Sequence, residues 1–286
     1  MNLIDILQNK GVTYKQAGEH HHCREGWVNV DCPYCSPNWH KWRMGLHLGV
    51  PAANCWNCGK HSYFTVLREL TNLSYLELKD LVKDYSYTLK EKPSGRLVLP
   101  VGREKLTKPF RTYLESRRID PEEAQALWGV ESIKHHQKLS WRLFLPAYFN
   151  QEILSWTTRH IGSSIKRYMN SPPEEEKYPL KKLLYGEDLA LSSLIVVEGP
   201  LDAIRIGPGA VALCGVLFSN SQVSRIIRYP KRGICFDNEP KAQERARKLC
   251  ETLKLFPGET YLITLKSKDP GEASDSEIKE LRRFLV

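Results

Sequence analysis

Two sets of residues in this sequence have the types and spacing for metal chemistry. Cys32-Pro-Tyr-Cys35 is followed, after 19 residues, by Cys55-Trp-Asn-Cys58. This C-x2-C…C-x2-C pattern brings two thiolate pairs around one ion. Four sulfurs complete a tetrahedral shell with no open position, so Cys32, Cys35, Cys55 and Cys58 predict one structural zinc rather than a catalytic one. The second set is acidic. Glu198 closes LIVVE just before Gly199-Pro200, Asp237 and Glu239 close GICFDNE, and Asp269 follows LITLKSK. Carboxylates gathered in one place repel and raise each other's pKa values, and a divalent cation is their natural partner. Oxygen donors without a nearby histidine favour magnesium or manganese over zinc.

The elements that must position these acids alternate regularly. From residue 193 onward, apolar runs read as strands and are each followed by a helical pattern: LIVVE then PLDAIRI, AVALCGV then NSQVSRIIRY, GICFD then PKAQERARKLCETLKL, ETYLITL then SEIKELRRFL. Such alternation predicts an α/β fold with a mainly parallel sheet flanked by helices, and ligands in such sheets sit beyond the carboxyl ends of the strands. Upstream, residues 109–192 open with the helical FRTYLESRR. Asp120-Pro121-Glu122-Glu123 then makes a capped helix start and Gly129 a stop. Strands are expected in WRLFLPAY (141–148) and EILSWTTRHI (152–161). Residues 1–85 hold the cysteine pairs and two helical patterns, the second capped by Ser74 over SYLELKDLVKDY. Residues 86–108 lack a sustained period, carry Pro93, Gly95 and Pro100, and read as a linker. The chain is thus expected to be multi-domain, a small β-rich zinc ribbon joined to a larger α/β core.

Composition sets wider bounds. With 286 residues, 41% hydrophobic and 26% charged, the chain has the make-up of a globular protein of two domains. No apolar run approaches a membrane span, and MNLIDILQNKGV lacks the pattern of a secretory signal, so a cytoplasmic location is expected. The net charge of +9 is spread along the chain rather than held in one tail, which suits contacts to phosphates at many points. Cys214, Cys235 and Cys250 lie in apolar or helical surroundings and read as small buried hydrophobes.

LIVVEGPLDAI, GICFDNEPKA and LKSKDPGE resemble the motifs of the TOPRIM domain shared by DnaG-type primases, topoisomerases and some nucleases. The upstream WRLFLPAYFNQEILSWTTRHIG, RYMNSP and LLYGEDLAL are similar to the basic amino-terminal half of the primase polymerase core. With the zinc pairs in front, the resemblance spans roughly residues 25–275 and is closest to the stand-alone primases and primase halves of phages.

The resemblance implies a zinc-ribbon template-binding region (1–85), a linker (86–108), a basic subdomain (109–192) and a TOPRIM metal-binding subdomain (193–286). It implies that Glu198 is the general base at the metal centre, that Glu198, Asp237, Glu239 and Asp269 hold one or two magnesium or manganese ions, and that Asp202 supports the site. Arg142, Arg159, Arg167 and Lys241 would grip triphosphate and template, with Tyr168 and Asn170 matching the family's K-Y-x-N loop. The implied activity is DNA-dependent synthesis of short RNA primers on single-stranded DNA from ribonucleoside triphosphates, beside a replicative helicase and in the host cytoplasm if the chain is phage-encoded.

The departures from the family pattern are specific. Asp237-Asn238-Glu239 replaces Asp-x-Asp, Arg167 replaces a lysine, and Gly271 stands where an acid is usual, so that either Glu272 substitutes for it or a second metal binds more weakly. The carboxyl terminus falls about ten residues past the last sheet motif, so a large helicase-binding domain is not expected.

Between the cysteine pairs, WHKWRMGLHLG reads as a hairpin. It offers either Trp39, Lys41 and Arg43 as a base-stacking surface or Trp42, Met44 and Leu46 as core. In the resembling family this module reads the template's initiation trinucleotide. EHHHC (19–23) reads as a polar lead-in rather than a second metal site, and GKHS (59–62) lacks the glycine and hydroxyl of a phosphate loop, so no helicase motor is expected. Two other readings remain: a non-catalytic recombination mediator of RecR type, which also joins a four-cysteine zinc element to a TOPRIM domain, and a TOPRIM nuclease.

Overall fold

The structure, a computed structural model, describes residues 3–37, 39–48, 52–61, 63–73, 95–215 and 217–285. The helix expected over 74–85 and the first part of the linker lie outside the described residues. The chain divides into two compact units, Met1–Thr88 with Asn150–Glu152, and Leu89–Phe149 with Ile153–Val286.

In the first unit, helix α1 (Leu3–Asn9) precedes a four-stranded antiparallel sheet of β1 (Trp27–Val30), β2 (Met44–His47), β3 (Ala53–Cys55) and β4 (Gly59–His61), in that order, followed by α2 (Tyr63–Thr71). Its core is made by Leu3, Leu7, Val28, Val30, Met44, Leu46, Val66 and Leu67. The register pairs Val30 with Met44 and Met44 with Cys55. The ends of β1 and β3, which lead into the two C-x2-C turns, therefore lie at the same edge of the sheet. Both alternatives for the hairpin hold in part. Met44 and Leu46 are fully buried in the core of this unit, while Trp39 and Lys41 precede β2 and are exposed.

The second unit holds two sheets. The antiparallel one runs β5 (Arg103–Glu104), β6 (Glu131–Ile133), β7 (Arg142–Phe149), β8 (Glu152–His160), β9 (Tyr168–Asn170), with α3 (Lys108–Ser116) and α4 (Pro121–Trp128) between β5 and β6. The start of α4 follows the sequence closely. The Asp120 carboxylate accepts the backbone N–H groups of Glu122 and Glu123, and Gly129 ends the helix at φ 65°, a left-handed conformation that glycine adopts without steric cost.

The other sheet is parallel throughout, in the order β11 (Ala210–Ala212), β10 (Ser193–Val197), β12 (Lys231–Ile234), β13 (Glu259–Leu262). Its helices are α5 (Pro200–Ile206), α6 (Asn220–Ile226), α7 (Pro240–Lys254) and α8 (Asp275–Phe284). Every residue of β10 and β11 is buried, as expected for strands covered on both faces. The strands are shorter than their apolar runs suggest. β11 stops at Ala212, and Cys214 takes φ 56° two residues later. The chain goes from β10 to β11 on one side, then crosses to β12 on the other. β10 and β12 therefore flank the switch point where a ligand crevice opens.

Candidate active site

Glu198 follows β10 and Asp237 lies three residues beyond β12, so the two acids leave neighbouring strands at the switch point. A cavity of about 540 Å³ opens there. Its wall carries Glu198, Asp202, Asp237, Glu239 and Asp269 from the parallel-sheet side. It also carries Arg159, Tyr168 and Asn170 from β8 and β9, Arg167 from just before β9, and Arg117 from the end of α3. The structure thus brings together nine residues singled out in the sequence: Glu198, Asp202, Asp237, Glu239, Asp269, Arg159, Arg167, Tyr168 and Asn170.

The acids are crowded and partly buried. Burial, then the charges of Asp237 and Asp269, pushes the Asp202 carboxyl up to about 7, with Arg117 and the Gly271 N–H opposing. Burial, then Glu198, Asp269 and Glu239, pushes Asp237 up to about 6. Gly199 eases this crowding, since a Cβ there would lie 2.7 Å from Asp202 Oδ2 and that carboxylate would have to shift. Gly271, the position lacking the family's acid, lies against the same carboxylates, where a Cβ would come within 3.1 Å of Asp269 Oδ1 and 3.2 Å of Asp202 Oδ1. Glu272 does not line the cavity; it is exposed, and its backbone N–H donates to Asp269 at 2.8 Å.

The structure places two of the expected contact residues away from the cavity. Arg142 is 3% exposed and is absent from the wall. Its guanidinium donates to the carbonyl oxygens of Lys166 (2.6 Å) and Arg167 (3.2 Å), which fixes the loop that carries Arg167. Lys241 is exposed on the second residue of α7 and also lies off the cavity. The acids share a wall but do not form a tight clasp. Among the described residues, only the four cysteines bring three or more potential ligand atoms within 4.8 Å of one another. Two of the acids already have a cation partner, Arg245 on Glu198 at 2.5 Å and Lys268 near Glu239 at 3.7 Å.

Sequence reasoning missed Arg117, Arg245, Lys268 and Tyr113. The Tyr113 hydroxyl accepts from Arg117 Nε (3.0 Å) and Arg159 Nε (3.1 Å), and so holds two guanidinium groups side by side. Arg159 also lies 4.9 Å from the centre of the Tyr168 ring. Arg117, Arg159 and Arg167 line a second cavity of about 690 Å³ with Tyr113, Ser163 and Ser164. Arg245 falls one helical repeat after Ala242, which lines the same wall, so the face of α7 that it occupies follows from the start at Pro240. Its pairing with Glu198 does not.

In the first unit, Cys32 Sγ lies 3.6 Å from Cys58 Sγ, and Cys35 Sγ 3.6 Å from Cys55 Sγ. Zinc–sulfur bonds of ~2.3 Å in a tetrahedron put sulfurs roughly 3.8 Å apart, so the four thiols fit one zinc. His61 Nε2 is 3.0 Å from Cys58 Sγ, and its ring stacks on Tyr34 with centroids 4.4 Å apart. The three histidine rings at 20–22 cluster at 4.0–5.3 Å, while the Cys23 thiol donates to the carbonyl oxygens of Lys15 and Trp27. The acids of the cavity offer only oxygen donors, and a hard divalent ion would relieve the raised pKa values of Asp202 and Asp237, so the set suits magnesium or manganese.

The sequence matches no protein-family model and no curated relative. Among solved structures, the zinc-binding and RNA polymerase domains of Aquifex aeolicus primase are similar over all of this chain and 82% of that one, at 17% identity and TM-score 0.57. A DnaG primase catalytic domain bound to single-stranded DNA is similar over 63% of this chain and 75% of that one (16% identity, TM-score 0.53). The E. coli primase catalytic core is similar over 61% and 72% (18% identity, TM-score 0.51). The chain is thus a mixed α/β protein with a four-cysteine site and a parallel four-stranded sheet. More particularly, its fold is that of the zinc-binding and catalytic domains of DnaG-type primases.

Proposed function

We propose that this chain is a DNA primase, an RNA polymerase that starts short RNA chains on single-stranded DNA by nucleotidyl transfer, with a TOPRIM-type acidic site. The observation that carries the reading is the cavity of about 540 Å³, a volume suited to a nucleotide. Its wall joins Glu198, Asp237, Glu239 and Asp269, which follow strands of the parallel sheet, with Arg159 of the antiparallel sheet, Arg167 just before β9 and Arg117 at the end of α3.

Arg117, Arg159 and Arg167 bind and orient the triphosphate, with Tyr113 holding the first two side by side. Glu198, on the same cavity wall, accepts the proton of the attacking 3′ hydroxyl. The new bond joins that oxygen to the α-phosphorus, and the bond to the β-phosphate oxygen breaks to release pyrophosphate. Glu198, Asp237, Glu239 and Asp269 would hold magnesium or manganese, which would supply charge neutralisation on the attacking and leaving oxygens. Asp202 buttresses Asp237 from the first turn of α5. The four-cysteine unit is structural, and its exposed Trp39 and Lys41 suit contact with single-stranded bases of the template. A replicative helicase is the partner that this activity calls for.

The test is synthesis of short RNA on single-stranded DNA of varied sequence with ribonucleotides and magnesium or manganese. Glu198→Gln and Asp237→Asn should each reduce it by about 10²- to 10³-fold, the cost of removing a group that acts on developing charge. DNA binding without synthesis on any template would favour a recombination mediator, and DNA cleavage a nuclease.

A further inference from the structure

The proposed reaction needs the Glu198 carboxylate, yet both of its oxygens are engaged. Oε1 accepts from Arg245 Nη2 at 2.5 Å, and Oε2 accepts the backbone N–H of Asp237 at 3.3 Å. The Arg245 side chain is 26% exposed and that of Glu198 17%, so the pair is shielded enough for charge to matter. A guanidinium on the carboxylate and a divalent cation compete for the same charge. The guanidinium is also incompletely satisfied, since its buried Nε has no hydrogen-bond partner among the described residues. Arg245 therefore holds unused donor capacity in a cavity wall that it shares with Arg117, Arg159 and Arg167. A planar fork of donors of this kind matches phosphate as well as carboxylate.

We infer that Arg245 is an exchangeable counter-ion. It neutralises Glu198 while no divalent cation is bound, yields the carboxylate when one binds, and then offers its guanidinium to the polyphosphate of a nucleotide in the same cavity. The inference rests on the nucleotide-binding reading of this site. It makes Arg245 a residue that serves two anions in turn, and the two roles have opposite signatures. Removing the side chain should strengthen metal binding and weaken nucleotide binding, whereas loss of a merely structural residue would weaken both.

The experiment uses the full zinc-loaded chain and its Arg245→Met and Arg245→Lys variants. Manganese affinity without nucleotide is read from the spin-resonance signal of free Mn²⁺, and ATP affinity at saturating Mn²⁺ from calorimetry. Arg245→Met should bind Mn²⁺ about tenfold more tightly and ATP about tenfold more weakly, each change being the size of one charge-assisted hydrogen bond. Arg245→Lys should fall between Met and wild type. In a Glu198→Gln background, Arg245→Met should leave Mn²⁺ affinity unchanged, because the competing pair is already gone. Equal or weaker Mn²⁺ binding by Arg245→Met, or unchanged ATP binding, overturns the inference. Both readouts are equilibrium measurements. A chain that makes no RNA but shows both shifts loses the polymerase reading and keeps the exchange, and RNA synthesis without the shifts does the reverse.

Discussion

Replacing Asp202 by asparagine isolates the charge crowding on which the active-site reading depends. The folded chain holds this carboxyl at about 7 against an ordinary 3.8, chiefly through burial and then through Asp237 and Asp269. Between those two values the folded state binds more protons than the unfolded state, so stability falls as pH rises through the window. Between pH 5 and pH 8 the penalty specific to Asp202 grows by at most ~3 kcal/mol, and by about 2 kcal/mol after a discount for screening in an open cavity. Asp202→Asn removes that ionisation and still accepts the Gly271 N–H through its amide oxygen. The variant should therefore gain about 2 kcal/mol over wild type on going from pH 5 to pH 8, or about 4–8 °C in the unfolding midpoint of a unit this size. Thermal unfolding of zinc-loaded, magnesium-free protein at both pH values measures it. Added magnesium should narrow the gap at pH 8 by stabilising the wild type more than the variant. A variant that differs from wild type equally at pH 5 and pH 8 would refute the claim that these carboxylates share one low-dielectric, acid-crowded wall.

Two further outcomes are expected. Arg142→Met should cost about 2–4 kcal/mol in denaturant unfolding, because two backbone carbonyls lose a buried charged donor, and Arg142→Lys should not restore it, since a point charge cannot span both; a variant as stable as wild type would return Arg142 to the list of substrate contacts. Cys55→Ser, or zinc chelation, should unfold the first unit by circular dichroism and abolish template preference before metal-dependent chemistry, and equal loss of both would show that the two units do not divide the work in this way.

The parts of the fold legible in the sequence were those fixed by short-range rules. The cap at Asp120, the stop at Gly129 and the alternation of strands and helices after residue 193 each depend on a few neighbouring residues, and each stands in the structure. The acids were legible for a related reason. A parallel sheet presents its carboxyl ends on one rim, so residues that end strands share a site whatever the loops do. The arginines were harder, because which of them face a cavity depends on tertiary packing. Arg142 and Arg159 both sit on strands of the antiparallel sheet, yet one turns inward to cap a loop and the other reaches the acids. Arg245 and Lys268 carry no spacing signal that marks them as neighbours of Glu198 and Glu239, because the contact joins a helix or loop to the end of a different strand.

The cavity wall carries five acids and five cations, with Arg117, Arg159, Arg167, Arg245 and Lys268 set against Glu198, Asp202, Asp237, Glu239 and Asp269. Formal charge on the wall is balanced, so net attraction cannot be what selects a ligand. Selection must come from how the charges are arranged. A free cation finds Glu198 already neutralised, and a bare polyphosphate meets carboxylates beside the arginines. On the proposed reading, a polyphosphate that arrives with its metal would meet both sets of charges at once, its oxygens at the arginines and its cation at the acids. Raised carboxyl pKa values coexist here with abundant positive charge because burial is their largest cause: Arg117 opposes the shift of Asp202 and Lys268 that of Asp237, and burial with the neighbouring carboxylates outweighs both. On the proposed reading, a divalent cation would relieve what these fixed cations leave uncompensated.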